Sequence, residues 1–170
     1  KRRDFEYYET ITVRDSSLSA CAQAVMAFET GHVELGWDYL REAALTDLHD
    51  LHGNAESGLH MASLAGAVLA AVCGVGGFRD SHGGLSFHPR LPDAVERLRF
   101  RLTVRGSRLL VTVLPQETRY VVTEGDPLDI RHWKEDLRVG AEEVVRPVPP
   151  APGWEAPGYP AGREPGFLCD

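Results

Sequence analysis

The sequence predicts an α+β protein in which helices come first and strands follow. Two observations predict this. Apolar residues recur at helical spacing over 16–45 and again over 59–72. From Val75 onward the period changes, and β-formers alternate or cluster between glycine, proline and aspartate punctuation.

Taken in order, the opening stretch FEYYETITV reads as extended. Asp15 or Ser16 then caps a first helix, in which Leu18, Cys21, Val25 and Phe28 share a face and Gly31 is the stop. A second amphipathic helix is expected over 33–45, with Val33, Trp37, Leu40 and Ala44 on one side and Glu34, Asp38 and Glu42 on another. The short link between the two predicts antiparallel packing. Residues 46–58, TDLHDLHGNAESG, break the period and predict a long irregular connection of the kind that often carries function. The third helix, from Leu59 to about Val72, carries Ala62, Ala65, Gly66 and Ala70, small residues that let neighbouring helices approach closely.

The strand region begins after GVGGF, which lacks the strand, turn and helix context of a nucleotide loop and reads as the turn between two domains. LSFHP, ERLRFRLTVRG, SRLLVTVLP and TRYVVTEG are its strands. Leu98, Phe100, Leu102 and Val104 alternate with Arg97, Arg99 and Arg101, and Gly106 with Ser107 reads as the hairpin reversal that follows. Beyond Val145 the prolines at 147, 149, 150, 152, 157, 160 and 165 predict an extended or disordered tail.

A length of 170 residues allows one ordinary domain or two small ones, and the 43% apolar share is enough for a packed core. The formal charge of −7 is spread along the chain, and the densest basic cluster is only Lys1, Arg2 and Arg3, so neither nucleic acid nor an anionic membrane is an expected partner. The cysteines at 21, 73 and 169 are odd in number with no CxxC spacing, and two sit in apolar helical patterns, which points to a reducing, cytoplasmic setting. The apolar run from Leu59 to Val75 contains His60 and Ser63 and is rich in alanine and glycine, which reads as a buried helix rather than a membrane span. No signal peptide is expected. A chain that starts at Lys1 rather than methionine is expected to be a fragment.

The order YYE…TVRDSSLSA, then a helical hairpin, then NAESGLHMASLAGA, then GVGGFRD…GGLSFHPRLP resembles the C-terminal part of glycoside hydrolase family 65, from about Arg3 to Val122. That family includes maltose, trehalose and kojibiose phosphorylases and related hydrolases. The resemblance implies the last helices of an (α/α)6 barrel over 1–76, a small antiparallel β-sheet or sandwich domain over 77–145, and a proline-rich tail over 146–170. It implies inverting cleavage of an α-linked glucose disaccharide, in which a carboxylic acid protonates the leaving oxygen while phosphate or water attacks from the opposite face. The family's acid lies upstream, so no general acid is assigned in these residues and the polypeptide alone is expected to be inactive. No cofactor or metal is implied, and inorganic phosphate is the co-substrate. Dimers are common in the family, which leaves a homodimer open for the full-length protein.

The resemblance carries phosphate ligands onto Ser16, Ser17, Gly58 and His60. Hydroxyls and helix-start amides donate to phosphate oxygens, and the helix dipole and a protonated imidazole add positive charge. Read as structure only, Asp15 and Ser16 cap the first helix and His60 fills the first turn of the third. Where many family phosphorylases have Asn-Thr-x-Asp-Gly, this chain has Asn54-Ala55-Glu56-Ser57-Gly58. Glu56 would repel a phosphate dianion, yet in an inverting hydrolase it is a candidate general base if it stands roughly 6.5 to 9.5 Å from the acid. The bland reading has Glu56 in solvent, favourable to the helix dipole. His49 and His52, with Asp50 and His60 nearby, lack the ligand spacing of a zinc site. Trp37 and Tyr39 are candidates for stacking on sugar, although helical spacing favours a core role for Trp37. Tyr7, Tyr8 and Glu9 line the pocket on no stronger ground than their place in the chain. The expected function is therefore the C-terminal part of an inverting α-glucoside phosphorylase that releases glucose 1-phosphate. The alternatives are an inverting hydrolase of the same family and a non-catalytic carbohydrate-binding or structural module.

Overall fold

The computed structural model describes residues 1–13, 16–81 and 84–159, and the chain divides into two compact units. One comprises Lys1–Gly74 with the segment that begins at Pro152; the other comprises Val75–Ala151.

The first unit is helical: α1 (Arg2–Glu9), α2 (Ser19–Thr30), α3 (Val33–Leu45) and α4 (Met61–Leu69), the last running on into a π-helical turn over Ala70–Val75. The opening stretch, expected to be extended, is instead helical through Glu9. Its aromatic and β-branched residues favour strand locally, but tertiary contacts decide the outcome. Phe5 and Glu9, one turn apart, are both buried, and Phe5 lies 5.6 Å from the His32 ring. Glu9 receives the hydroxyl of Tyr39 and the Gln23 amide at 3.1 Å, so a carboxylate inside the core has donors on both oxygens.

Helix α2 ends at Gly31, as its sequence predicts, with the Gly31 amide donating to Ala27 O and Phe28 O. Its start differs from expectation. The residue before it is Leu18, with no side-chain cap, and Ser16 Oγ accepts the Leu18 amide at 3.2 Å in a local turn; Asp15 lies outside the described residues. Helix α3 packs against α2 and α4 through a face other than the one expected. Leu35, Tyr39 and Ala43 are buried at four-residue intervals, whereas Trp37, Leu40 and Ala44 are only half-buried. Tyr39 is thus a core residue rather than a sugar platform. Small residues in α4 do permit close approach: a Cβ at Gly66 would stand 2.5 Å from the Cys21 sulfur of α2.

The second unit is a β-sandwich. One sheet has the order β1 (Arg79–Ser81), β2 (Gly84–Phe87), β6 (Leu128–His132), β7 (Glu135–Val139). The other has β3 (Leu98–Val104), β4 (Ser107–Val113), β5 (Glu117–Glu124), β8 (Val144–Pro147). Leu85, Phe87, Ile130 and Val139 of the first meet Leu109, Val111, Tyr120 and Val122 of the second in a shared core. Pairing is antiparallel throughout, with one exception to the expected all-antiparallel arrangement: β2 and β6 run parallel, Leu85 opposite Ile130. The β3 alternation holds, its apolar side packed on the core and Arg99 and Arg101 exposed. The reversal after it is Arg105–Gly106, one residue earlier than expected. Both have positive φ, 50° and 82°, which is the two-residue hairpin turn whose twist matches the strands. Ser107 opens β4 and is buried, its hydroxyl donating to Asp126 O at 2.8 Å.

The tail boundary expected at Val145 falls inside β8, which pairs with β5 as far as Pro147. The proline-rich segment that follows is extended, as composition predicts, but it is not unattached. Trp154 stacks under the Arg2 guanidinium at 4.1 Å, and Tyr159 meets Tyr39 edge-on at 6.3 Å. Cys169 and the last prolines lie outside the described residues.

Candidate functional site

Helix α3 ends at Leu45, and the next fifteen residues cross to the start of α4. Their path is fixed by side chains. Thr46 Oγ1 donates to Glu42 O at 2.9 Å and lies 3.4 Å from Ser63 Oγ, which in turn donates to Ala43 O at 3.1 Å. Asp50, at φ 47°, accepts the amides of Asn54 and Ala55 on one carboxylate oxygen, each at 2.8 Å. The irregular segment is therefore an ordered polar loop pinned at both ends.

His60 stands at the junction of this loop and α4, and Asp47 holds it by two bonds. The His60 amide donates to Asp47 Oδ2 at 2.9 Å, and the ring nitrogen Nδ1 lies 2.6 Å from Oδ1. The Asp47 side chain is only 6% exposed. The hydrogen bond from the His60 ring holds the Asp47 carboxyl below its ordinary value. The His52 ring lies 5.8 Å from that of His60, at a tilt of 51°.

Ser16, Ser17, His52, Asn54 and His60 line one cavity of about 500 Å³. The hydroxyl motif before α2 and the histidine before α4, forty-odd residues apart, thus meet across a shared space. Among the described residues neither the Ser17 hydroxyl nor His60 Nε2 has a protein hydrogen-bond partner. Hydroxyls, an amide and imidazoles around an open space suit a small oxyanion.

Other candidates fall elsewhere. Gly58 is not in the cavity wall; it ends a single 3-10 turn, Ala55–Ser57, with its amide donating to Ala55 O at 3.1 Å. Glu56, in that same turn, is exposed and also outside the wall. Tyr7 and Tyr8 are exposed and meet edge-on, and Glu9 is buried in the core. His52 lines the cavity, while His49 is exposed and outside its wall. Among the described residues no group of three or more His, Cys, Asp or Glu is placed to hold a metal ion.

Three residues of this site, Asp47, His52 and Asn54, are not legible as such in the sequence. Asp47 has an ordinary helix-end identity, and its partner is thirteen residues away, so only folding reveals the pair. Asn54 belongs to the NAESG stretch and His52 to a histidine pair without ligand spacing, and neither pattern marks a wall residue. A larger cavity of about 920 Å³ lies on the β-sandwich, and four of its charged residues pair with one another: Arg131 with Asp136 at 2.7 Å and Arg138 with Asp129 at 2.9 Å.

Comparison with known proteins agrees with this architecture. The family description "Glycosyl hydrolase family 65 central catalytic domain" matches residues 1–69, and "Glycosyl hydrolase family 65, C-terminal domain" matches residues 78–139. The chain belongs to glycosyl hydrolase family 65. An uncharacterized glycosyl hydrolase of Mycobacterium tuberculosis is 49% identical over 169 residues, which is 97% of this chain and 22% of that protein. The α,α-trehalose phosphorylase of Geobacillus stearothermophilus is 37% identical over 144 residues, 85% of this chain and 19% of the enzyme. A solved structure from the human microbiome that carries a kojibiose phosphorylase name superposes with a TM-score of 0.80 at 23% identity, over 86% of this chain and 21% of its own; at that identity the likeness is one of fold. The chain therefore spans about a fifth of the length of the relatives it matches. Among the described residues no helix is long and apolar enough to cross a membrane.

Proposed function

We propose that this chain is the C-terminal part of an inverting α-glucoside phosphorylase of the cytoplasm, which cleaves an α-linked glucose disaccharide with inorganic phosphate and releases glucose 1-phosphate. In this reading 1–76 supplies the last helices of an (α/α)6 barrel, 77–145 is the β domain, and the general acid lies in sequence outside this chain. Ser16, Ser17 and His60 form the phosphate side of the active site, joined by Asn54 and His52. Gly58 acts there by shaping the approach to His60 rather than by donating its own amide.

The observation that carries the reading is the shared cavity of Ser16, Ser17 and His60. Relatives named trehalose, maltose and kojibiose phosphorylases support the co-substrate. The test is thermal unfolding in inorganic phosphate, because a ligand that binds only the folded state raises the melting temperature. Millimolar phosphate is expected to raise it, and His60→Ala to abolish the rise. In the full-length enzyme, phosphate-dependent release of glucose 1-phosphate is expected.

The hydrolase reading draws on the relatives at 49% identity, which are named glycosyl hydrolases and match along nearly the whole chain. It predicts free glucose released without phosphate. Glu56 is poorly placed as its base, since its side chain lies in solvent outside the cavity wall.

A further inference from the structure

We infer that Asp47 is a positioning residue which holds His60 with its proton on Nδ1, so that a bare Nε2 is presented to the cavity and His60 serves as the proton acceptor for the attacking group. The acceptor half of this inference rests on the cavity being the nucleophile's side of the reaction; the positioning half does not.

The argument begins with the carboxylate. An ionised carboxylate only accepts hydrogen bonds. Asp47 uses one oxygen for the His60 backbone amide and the other for the His60 ring, and its side chain is nearly enclosed. The proton in the 2.6 Å contact therefore belongs to Nδ1. A neutral imidazole carries one N–H, so Nε2 keeps its lone pair. The second bond, from the backbone amide at 2.9 Å, ties the same carboxylate to the chain at the loop–helix junction. Among the described residues of the wall the one other imidazole is His52, and His60 alone has a carboxylate fixing its tautomer. Ser16, Ser17 and Asn54 are neutral, the His52 ring lies beside that of His60, and Asp50 is occupied by the amides of Asn54 and Ala55.

The chemistry follows from the tautomer. Dihydrogen phosphate entering the cavity gives one P–OH proton to Nε2, and the resulting imidazolium, paired with Asp47, donates that proton in a hydrogen bond to the dianion. A phosphate oxygen then forms the bond to the sugar C1 as the C1–oxygen bond of the disaccharide breaks. The leaving oxygen keeps that electron pair and takes its proton from the acid outside this chain. The imidazolium proton passes to solvent, and the acid is reprotonated from solvent. With water as nucleophile the same nitrogen takes the proton, so Glu56 is not required as a base in either case.

Histidine side-chain 15N–1H correlation NMR of the 170-residue chain reads this directly. At neutral pH the His60 signal is expected to show a protonated Nδ1 and a bare Nε2. Asp47→Ala is expected to shift it to the Nε2–H form, and the isosteric Asp47→Asn to a mixture, with backbone spectra showing the fold retained. Addition of inorganic phosphate is expected to convert the wild-type ring to the doubly protonated pattern and to lose that effect in Asp47→Ala. A wild-type ring protonated on Nε2, or an unchanged tautomer in Asp47→Ala, overturns the positioning role. A melting temperature raised by phosphate with no conversion of the ring to the doubly protonated pattern overturns the acceptor role and leaves the phosphate reading standing, whereas neither a rise nor a conversion overturns the phosphate reading and leaves Asp47 as the residue that orients the ring.

Discussion

The two units bury their apolar residues in opposite ways. In the β-sandwich the large side chains of both sheets close on each other, and Phe87, Val111, Val113, Tyr120 and Val139 are inaccessible. In the helical unit a comparable set stays outside: Leu59 is 64% exposed, Met61 69%, Val68 64% and Leu69 58%. The interior of that unit is instead made partly of polar groups, Glu9 with Tyr39 and Thr46 with Ser63. One unit closes its apolar core between its own two sheets. The other pairs a modest core with an exposed apolar helix face and a polar cavity.

The sharpest way to break this contrast is Phe87→Ala. It removes a ring packed against Phe78 and Tyr120, and the expected loss is about 3–5 kcal/mol, read as a lower urea midpoint with hydrogen exchange accelerated across 75–151. A smaller effect separates the units by pH. His132 is buried in the sandwich, with Nδ1 taking the Tyr120 hydroxyl at 2.8 Å and Nε2 donating to Pro147 O at 3.0 Å. Burial pushes its pKa below the ordinary 6.5 and that of Tyr120 upward. Because the folded form resists protonation, the unfolded chain binds more protons below pH 6.5. This stability is therefore full above that value and is lost as pH falls toward the lower folded pKa. Asp47 has the same sign in a different window: its contribution is full above its ordinary 3.8 and is lost below it. Hydrogen exchange at pH 7 and pH 5 is thus expected to show the sandwich loosening, with His132→Gln flattening that response. The smallest effect is Met61→Ser, expected to change the urea midpoint of this chain by no more than about 0.5 kcal/mol, since the side chain is already in solvent.

What the sequence made legible was local. The Leu98–Val104 alternation and its hairpin are read within one stretch of chain, and the structure moves the turn by a single residue. The stop at Gly31 is likewise a near-neighbour event. Features that depend on distant partners stayed hidden. Helix α1 exists because Phe5 and Glu9 find Tyr39 and His32, and the parallel pairing of β2 with β6 joins strands some forty residues apart. The candidate site divides along the same line. Ser16, Ser17 and His60 came from resemblance to a family, whereas Asp47 is an unremarkable aspartate until the loop folds back on it.

The proline-rich segment has a consequence for how the protein is made. Trp154 rests on Arg2 and Tyr159 on Tyr39, so the helical unit draws its last covering pieces from chain that leaves the ribosome after every strand has been synthesised. Of these two units the earlier in the chain is therefore the later to be finished, and a nascent chain halted within the sandwich leaves the ring of Tyr39 without its edge-on neighbour.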